Sequence, residues 1–176
     1  MTFSTVYPSY HPRKGEPTYF VEKIWDSIGI DFRYQLKSEV LNFQRRDEST
    51  IWPKHHTIRA GHRWRAGDWF SPRVWGNDIN PKTGRKGPYH SKQITFAPNI
   101  QIKKVWYFEL TQIGFIKDCL VTIDGVVPKQ KLIPYIANND GLTLTDFNDW
   151  FTLSPDFRRK KTFSGQIICW NENINY

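Results

Sequence analysis

Hydrophobic residues recur at helical spacing in two separate stretches of the chain. They are Phe20, Ile24 and Ile28 in the first stretch, and Leu144, Phe147, Trp150 and Phe151 in the second. Side chains three or four residues apart share one face of a helix, so each stretch predicts a helix with one buried face. The first helix is expected over residues 19–28 with Thr18 as its N-cap, and the second from Thr143 or Thr145 to Leu153.

The other hydrophobic residues occur in short runs rich in aromatic and β-branched side chains, which is typical of strands. These runs predict strands over residues 58–63, 68–75, 89–96, 100–115, 119–123 and 163–170, and an edge strand or extended arm over residues 3–10. A short helix, broken near Pro134, is predicted over residues 129–138. This order of elements indicates an α+β fold, either a small β-barrel or a curved sheet of five or more strands with flanking helices.

The composition favours one basic, globular domain. No change in composition divides the 176 residues, and aromatic residues make up 16% of them, so a single core over residues 1–176 is predicted. The formal net charge of +8 makes nucleic acid or a nucleotide the first partner class to consider. The segment 76–87 is a polar loop whose basic residues either contact phosphates or only keep a hairpin end solvated.

Cysteine usage and the absence of long apolar runs suggest a compartment. Cys119 and Cys169 lie in apolar, strand-like runs, so we expect buried thiols and a reducing environment rather than a disulfide framework. The first ten residues have no charged region followed by an apolar one, and no run approaches the length of a membrane span. A cytoplasmic protein without a membrane partner is expected, and the oligomeric state stays open.

Familiar catalytic and cofactor motifs are missing from the chain. It has no Walker-type loop, no G-x-G-x-x-G, no H-E-x-x-H, no C-x-x-C and no G-x-S-x-G. The adjacent His55 and His56 would point to opposite faces of a strand, which disfavours a shared metal. We therefore expect no metal and no cofactor.

Two groups of residues are candidates for chemistry. Lys54, if sheltered by aromatic residues, would have a lowered pKa and could activate the hydroxyl of Thr57 as a nucleophile; the alternative is a surface lysine beside a strand threonine. Glu109 lies in the apolar run 106–110, where a carboxylate needs water or a partner. It either faces a cavity, with Lys54 or Arg59 as its partner, or belongs to the polar face of a two-sided strand.

An ordered set of motifs resembles the ASCH family, whose members are RNA-linked domains of the PUA-like superfamily. The motifs are Lys54-x-x-Thr57-Ile58-Arg59, Gly67-Asp68, the strand 106–111, the helix start 142–147 and the last strand 165–170. The resemblance covers residues from about 18 to 172. It leaves the segments 31–50 and 76–87 and the basic stretch Arg158–Lys161 as elaborations of a minimal domain.

The resemblance implies a PUA-like β-barrel with a cleft for a nucleobase, a nucleoside or RNA. Some small members look like amidohydrolases that remove the acetyl group of N4-acetylcytidine, in which a lysine activates a threonine and a glutamate assists proton transfer. The matching catalytic positions are Lys54, Thr57 and Glu109, and Arg59 would steady the site or an anionic group.

Three hypotheses follow for the function. The first is an ASCH-domain protein that binds RNA or a modified nucleoside, with N4-acetylcytidine amidohydrolase activity as an open question. The second is a non-catalytic RNA-binding module, in which Lys82, Arg85 and Lys86 hold phosphates while Trp64 and Trp69 stack on bases. The third is a protein-interaction domain with no nucleic-acid ligand.

Overall fold

The computed structural model describes residues 1–31, 52–114 and 119–176. In these residues it contains four helices and eight strands. The helices are α1 (Phe20–Ser27), α2 (Leu132–Asn139), α3 (Leu144–Thr152) and α4 (Pro155–Lys160). The strands are β1 (His56–Ala60), β2 (Trp69–Phe70), β3 (Arg73–Trp75), β4 (Gln93–Thr95), β5 (Ile100–Gln101), β6 (Lys104–Gln112), β7 (Cys119–Ile123) and β8 (Thr162–Cys169).

The largest sheet has four antiparallel strands in the order β1-β8-β6-β7. The other strands form two separate antiparallel pairs, β2 with β5 and β3 with β4. The predicted α+β class is therefore confirmed. The predicted barrel is not found among the described residues, because their strands are divided between one open sheet and two short pairs.

An aromatic cluster joins the four-stranded sheet to its helices. Phe108 of β6 is fully buried, and its ring centroid lies 5.8 Å from that of Phe151 and 6.3 Å from that of Phe147, both on α3. Phe163 of β8 completes the cluster, 5.0 Å from Phe151. Aromatic pairs at these separations stabilise a core beyond the area that they bury, so α3 is fixed firmly on the sheet.

The close approach of β1 and β8 depends on one glycine. Gly165 of β8 pairs with Ala60 of β1 and with Phe108 of β6. A Cβ atom at Gly165 would collide with the carbonyl oxygen of Arg59 and lie 2.9 Å from its carbonyl carbon. A residue without a side chain is required at this position because the neighbour is backbone, which cannot rotate away.

Most predicted elements occur near their predicted bounds, with several differences. The run 68–75 is divided into β2 and β3, the run 89–96 retains only β4, and residues 3–10 contribute one isolated bridge, at Val6, rather than a strand. Pro134 does not break α2, because it is the third residue of that helix, where a backbone N–H has no intrahelical partner. Helix α4 was not predicted at all. Of the segment 31–50 the structure describes only Asp31, and of the run 100–115 it describes residues 100–114.

Two expectations drawn from composition also meet the structure. Cys169 is a buried thiol, as predicted, whereas Cys119 is only partly buried. In the parts of the chain that the structure describes, none of the helices has the length and apolar character needed to cross a bilayer.

Helix α3 begins with a side-chain cap. Thr143 is its N-cap, and the hydroxyl oxygen of Thr143 accepts a hydrogen bond of 3.1 Å from the backbone N–H of Asp146. Replacing Thr143 by alanine is expected to lower the free energy of unfolding by about 1 kcal/mol, because that N–H loses its partner. Urea denaturation followed by circular dichroism measures the change. Thr145→Ala, at an exposed position two residues further on, is the matched control, and an equal loss in both variants would contradict the capping role.

Candidate nucleic-acid interface

Lys54 is buried and serves as a tie between two elements. Its side chain is 1% exposed, and its Nζ donates hydrogen bonds to the backbone oxygen of Asp140 at 2.5 Å and to Oδ1 of Asp140 at 2.6 Å. The ammonium group also lies 4.3 Å from the centroid of the Phe20 ring. Its three N–H groups therefore have two oxygens and a ring face as neighbours. Lys54 holds the chain leading into β1 against the end of α2.

The expected effect of burial on Lys54 is present, but the neighbour differs from the expected one. Burial lowers the pKa of Lys54 to about 8, and the contact with Asp140 limits the fall. Burial raises the pKa of Asp140, and the charge of Lys54 opposes that rise. We assign an ion pair at neutral pH, because an ammonium and a carboxylate at 2.6 Å stabilise each other's charged forms. The partner of this lysine is thus Asp140 rather than Thr57.

Glu109 does not meet Lys54 and Thr57. Thr57 pairs with Ile168 of β8, whereas Glu109 pairs with Ser164, four residues away on the same strand. Four residues of a strand span about 13 Å, and β1 and β6, on either side of β8, are about 10 Å apart. Glu109 is exposed and accepts a hydrogen bond of 3.4 Å from the hydroxyl of Thr122. Glu109 does line a pocket, as one alternative expected, but its neighbours there include Tyr107 and Asp124 and neither Lys54 nor Arg59, so the three predicted catalytic residues do not form one site.

His56, the buried histidine close to Lys54, makes contacts that belong to a structural residue. Nε2 of His56 lies 3.1 Å from the backbone oxygen of Ile136, so this nitrogen carries the proton and donates it. Nδ1 of His56 lies 3.6 Å from Oδ1 of Asp140, and burial lowers the pKa of His56 well below its ordinary range. Across the described residues, no three His, Cys, Asp or Glu side chains are grouped so as to hold a metal ion.

Arg59 lines a cavity of about 600 Å³. Because side chains alternate along a strand, Arg59 lies on the face of β1 opposite to that of His56. Its Nη2 donates a hydrogen bond of 2.6 Å to the backbone oxygen of Thr2, and its guanidinium lies 5.1 Å from the centroid of the Phe3 ring. Nε of Arg59 has no hydrogen-bond partner within the described residues. A guanidinium has five N–H groups, so within the described residues Arg59 keeps donors, Nε among them, that a ligand can use.

The rest of the cavity is positive and aromatic. Arg63 lies at its edge with its guanidinium 5.1 Å from the centroid of Trp64, and Trp75 contacts Tyr89 with 5.4 Å between ring centroids. The lining residues in the described parts of the chain include no Asp or Glu. Burial lowers the pKa of Arg59, the charge of Asp140 opposes that fall, and the charge of Arg63 adds to it. A bound anion would relieve this repulsion.

Strand β8 positions Trp64, one of the residues that line the cavity. Gln166, which is buried, pairs with Arg59 across the two strands, so both side chains lie on the same face of the sheet. Its Oε1 accepts a hydrogen bond from the N–H of Trp64 at 3.0 Å, and its Nε2 donates one to the oxygen of Trp64 at 3.0 Å. The two bonds hold Trp64 at a fixed distance from Arg59.

The structure brings together some of the predicted binding residues. Arg59 and Trp64 both line the cavity. Trp69 is 61% exposed on β2 but is not a lining residue of this cavity. The basic residues Lys82, Arg85 and Lys86 are exposed on the loop between β3 and β4, whose residues Pro88 and Tyr89 border the cavity. The predicted phosphate-binding loop is therefore adjacent to the cavity.

Among the lining residues that sequence reasoning missed, Arg63, Trp75 and Tyr89 are the ones that the proposed binding uses. The sequence contains a signal for the first, since Arg63-Trp64-Arg65 interleaves basic and aromatic side chains in the way that nucleic-acid sites do. It contains no comparable signal for the meeting of Trp75 with Tyr89, because this depends on the path of a long loop.

Comparison of the chain with protein-family models, with curated proteins and with solved structures finds no match. The resemblance to the ASCH family therefore stays a prediction. What the cavity can bind follows from the residues that line it.

Proposed function

We propose that the chain binds single-stranded RNA, or a nucleoside phosphate unit of it, in the cavity between Arg59, Arg63 and Tyr89. The observation that carries the proposal is a cavity lined by two arginines and by aromatic side chains that include Trp64, Trp75 and Tyr89, with no carboxylate among the described lining residues. Arginine pairs with phosphate through two parallel hydrogen bonds, and aromatic rings stack on unpaired bases. The ligand class that satisfies both features is a nucleotide.

The geometry gives each part of the ligand a place. A phosphate fits beside Arg59 and Arg63, where Nε of Arg59 has no hydrogen-bond partner among the described residues and no described lining residue is a carboxylate. Bases lie against the rings of Trp64, Trp75 and Tyr89. Lys82, Arg85 and Lys86 extend the positive surface along the neighbouring loop, and the net charge of +8 attracts a polyanion from a distance.

A PUA-like relationship is part of the proposal. Its support is positional, because each motif of the resemblance lies at an ordered element. The Lys54 motif leads into β1, Gly67-Asp68 precedes β2, Glu109 is in β6, and residues 142–147 and 165–170 fall on α3 and β8. The proposal does not include N4-acetylcytidine hydrolysis by Lys54, Thr57 and Glu109, because the strand register separates Glu109 from the other two.

Removing one arginine of the cavity tests the proposal. Arg63→Gln is expected to weaken the binding of a short single-stranded RNA by about tenfold, since one charge-assisted contact is lost. The slope of log K against log[KCl] should fall in magnitude by about 0.7, because one fewer phosphate is neutralised. Fluorescence anisotropy with end-labelled RNA over a KCl series measures both quantities.

The matched control is Arg158→Gln, which removes the same charge from an exposed position on α4 outside the cavity. It should leave affinity within about twofold of the wild type, because distant surface charges are screened. Equal weakening by both variants would show that only the overall charge matters. Absence of RNA binding by the wild-type chain would refute the proposed function.

A further inference from the structure

Tyr89 occupies a backbone position that ordinarily belongs to glycine. The N–H of His90 donates a hydrogen bond of 3.1 Å to the oxygen of Gly87, which closes a four-residue turn over residues 87–90. Pro88 is the second residue of this turn, and Tyr89 is the third, with φ of 66°. Proline followed by a positive φ is the type II pattern, in which glycine is preferred at the third position. A bulky aromatic residue is strained there.

Core packing does not account for the choice of tyrosine. The side chain of Tyr89 is 88% exposed, and the ring contact that the structure gives it is with Trp75, at 5.4 Å between centroids. Its ring borders the cavity of Arg59 and Arg63. Neither the backbone nor the core therefore requires an aromatic side chain at this position.

The surrounding loop holds the strained turn in place. Oγ of Ser91, a buried residue, accepts a hydrogen bond of 2.8 Å from the N–H of Gly87 and donates one of 2.7 Å to the oxygen of Asp78. Nδ2 of Asn80 donates a hydrogen bond of 2.8 Å to the oxygen of His90. Strained residues persist where neighbouring structure determines their conformation, and they concentrate at ligand-binding sites.

We infer that Tyr89 is the base-stacking residue of the cavity. A base of single-stranded nucleic acid stacks on the free face of the Tyr89 ring, because the other side already contacts Trp75, while its phosphate lies at Arg59 and Arg63. This inference rests on the proposed function and assigns the stacking of the base to one residue of the cavity. Stacking of this kind accepts every base, since each has a π face, so recognition tolerates sequence and excludes duplexes.

The test compares two single-stranded oligonucleotides of equal length that differ only in their bases. One carries 2-aminopurine, whose fluorescence falls when it stacks, and the other is an abasic strand with the same number of phosphates. The wild-type chain should bind the base-containing strand more tightly and quench its fluorescence. Tyr89→Gly should weaken that binding by about 5- to 150-fold and leave the abasic strand unaffected. Tyr89→Phe keeps the ring and should bind like the wild type.

Thermal unfolding separates stacking from a structural role. Glycine takes a positive φ without strain, so Tyr89→Gly should not lower the melting temperature. A lowered melting temperature with equal weakening for both strands would overturn the inference. The inference would also be overturned if Tyr89→Gly kept the wild-type preference for the base-containing strand. If Arg63→Gln weakened the binding of both strands in that case, the proposed function would still stand. If the wild type binds neither strand, the proposed function itself fails.

Discussion

Replacing Lys54 by methionine is expected to lower the free energy of unfolding by about 3–5 kcal/mol. Methionine fills a similar volume, so the loss comes from charge rather than from a cavity. Without the ammonium group, the carboxylate of Asp140, which is itself buried, is left without the donor that now lies 2.6 Å away. Urea denaturation followed by tryptophan fluorescence measures the effect.

The double variant Lys54→Met/Asp140→Asn isolates the role of the pair. Removing both charges leaves no unpaired ion, so the double variant should be clearly more stable than Lys54→Met alone. If Lys54 were a catalytic base on a rigid surface instead, its replacement would leave stability unchanged within about 0.5 kcal/mol. Such an outcome would contradict the structural role that the geometry assigns to it.

Replacing Gly165 by alanine is expected to cost about 3 kcal/mol, at the upper end of the range for overpacking. The new methyl group would meet the carbonyl group of Arg59, so β1 must move away from β8 to accommodate it. The hydrogen bonds of this pairing would weaken, and Arg59 would leave its position in the cavity. RNA affinity should therefore fall together with stability, and both are measured on the same sample by anisotropy and denaturation.

Ser164→Ala provides the control for this variant. It changes the preceding residue of β8, whose exposed hydroxyl lies 3.1 Å from Nε2 of His62, and adds no atom between the strands. Its stability should stay within about 0.5 kcal/mol of the wild type. If Gly165→Ala matched Ser164→Ala, the two strands would have more freedom to separate than the structure indicates.

Local patterns were sufficient for the elements whose periodicity is strong. Helices α1 and α3 follow from apolar residues at helical spacing, and β6, β7 and β8 follow from aromatic and β-branched runs. The pattern was weaker where proline or glycine interrupts a run: Pro72 separates β2 from β3, and the turn at Pro88 delays β4 until Gln93. Helix α4 was missed because its six residues are mostly polar or charged.

The candidate site was less predictable because its contacts are distant in sequence. The partner of Lys54 is 86 residues away, and no spacing rule connects the two. Of the two alternatives for Lys54, the structure has the buried lysine with a lowered pKa, but the neighbour that determines its role is supplied by the end of α2. Arg59 and Trp64 were found because the motif and the basic-aromatic pattern mark them. Tyr89 became informative only once its positive φ and its exposure were known.

The strand order has a consequence for how the chain folds. Strand β8 lies between β1 and β6, so β1 obtains its partner from a segment more than one hundred residues later, as the contact of Cys169 with His55 across 114 residues also shows. During synthesis, β1 must wait with an unpaired edge until β8 leaves the ribosome. Such long-range pairing slows folding. Arg59 obtains its strand partner Gln166 only through this pairing, so the ability to bind the ligand should appear together with the completed sheet.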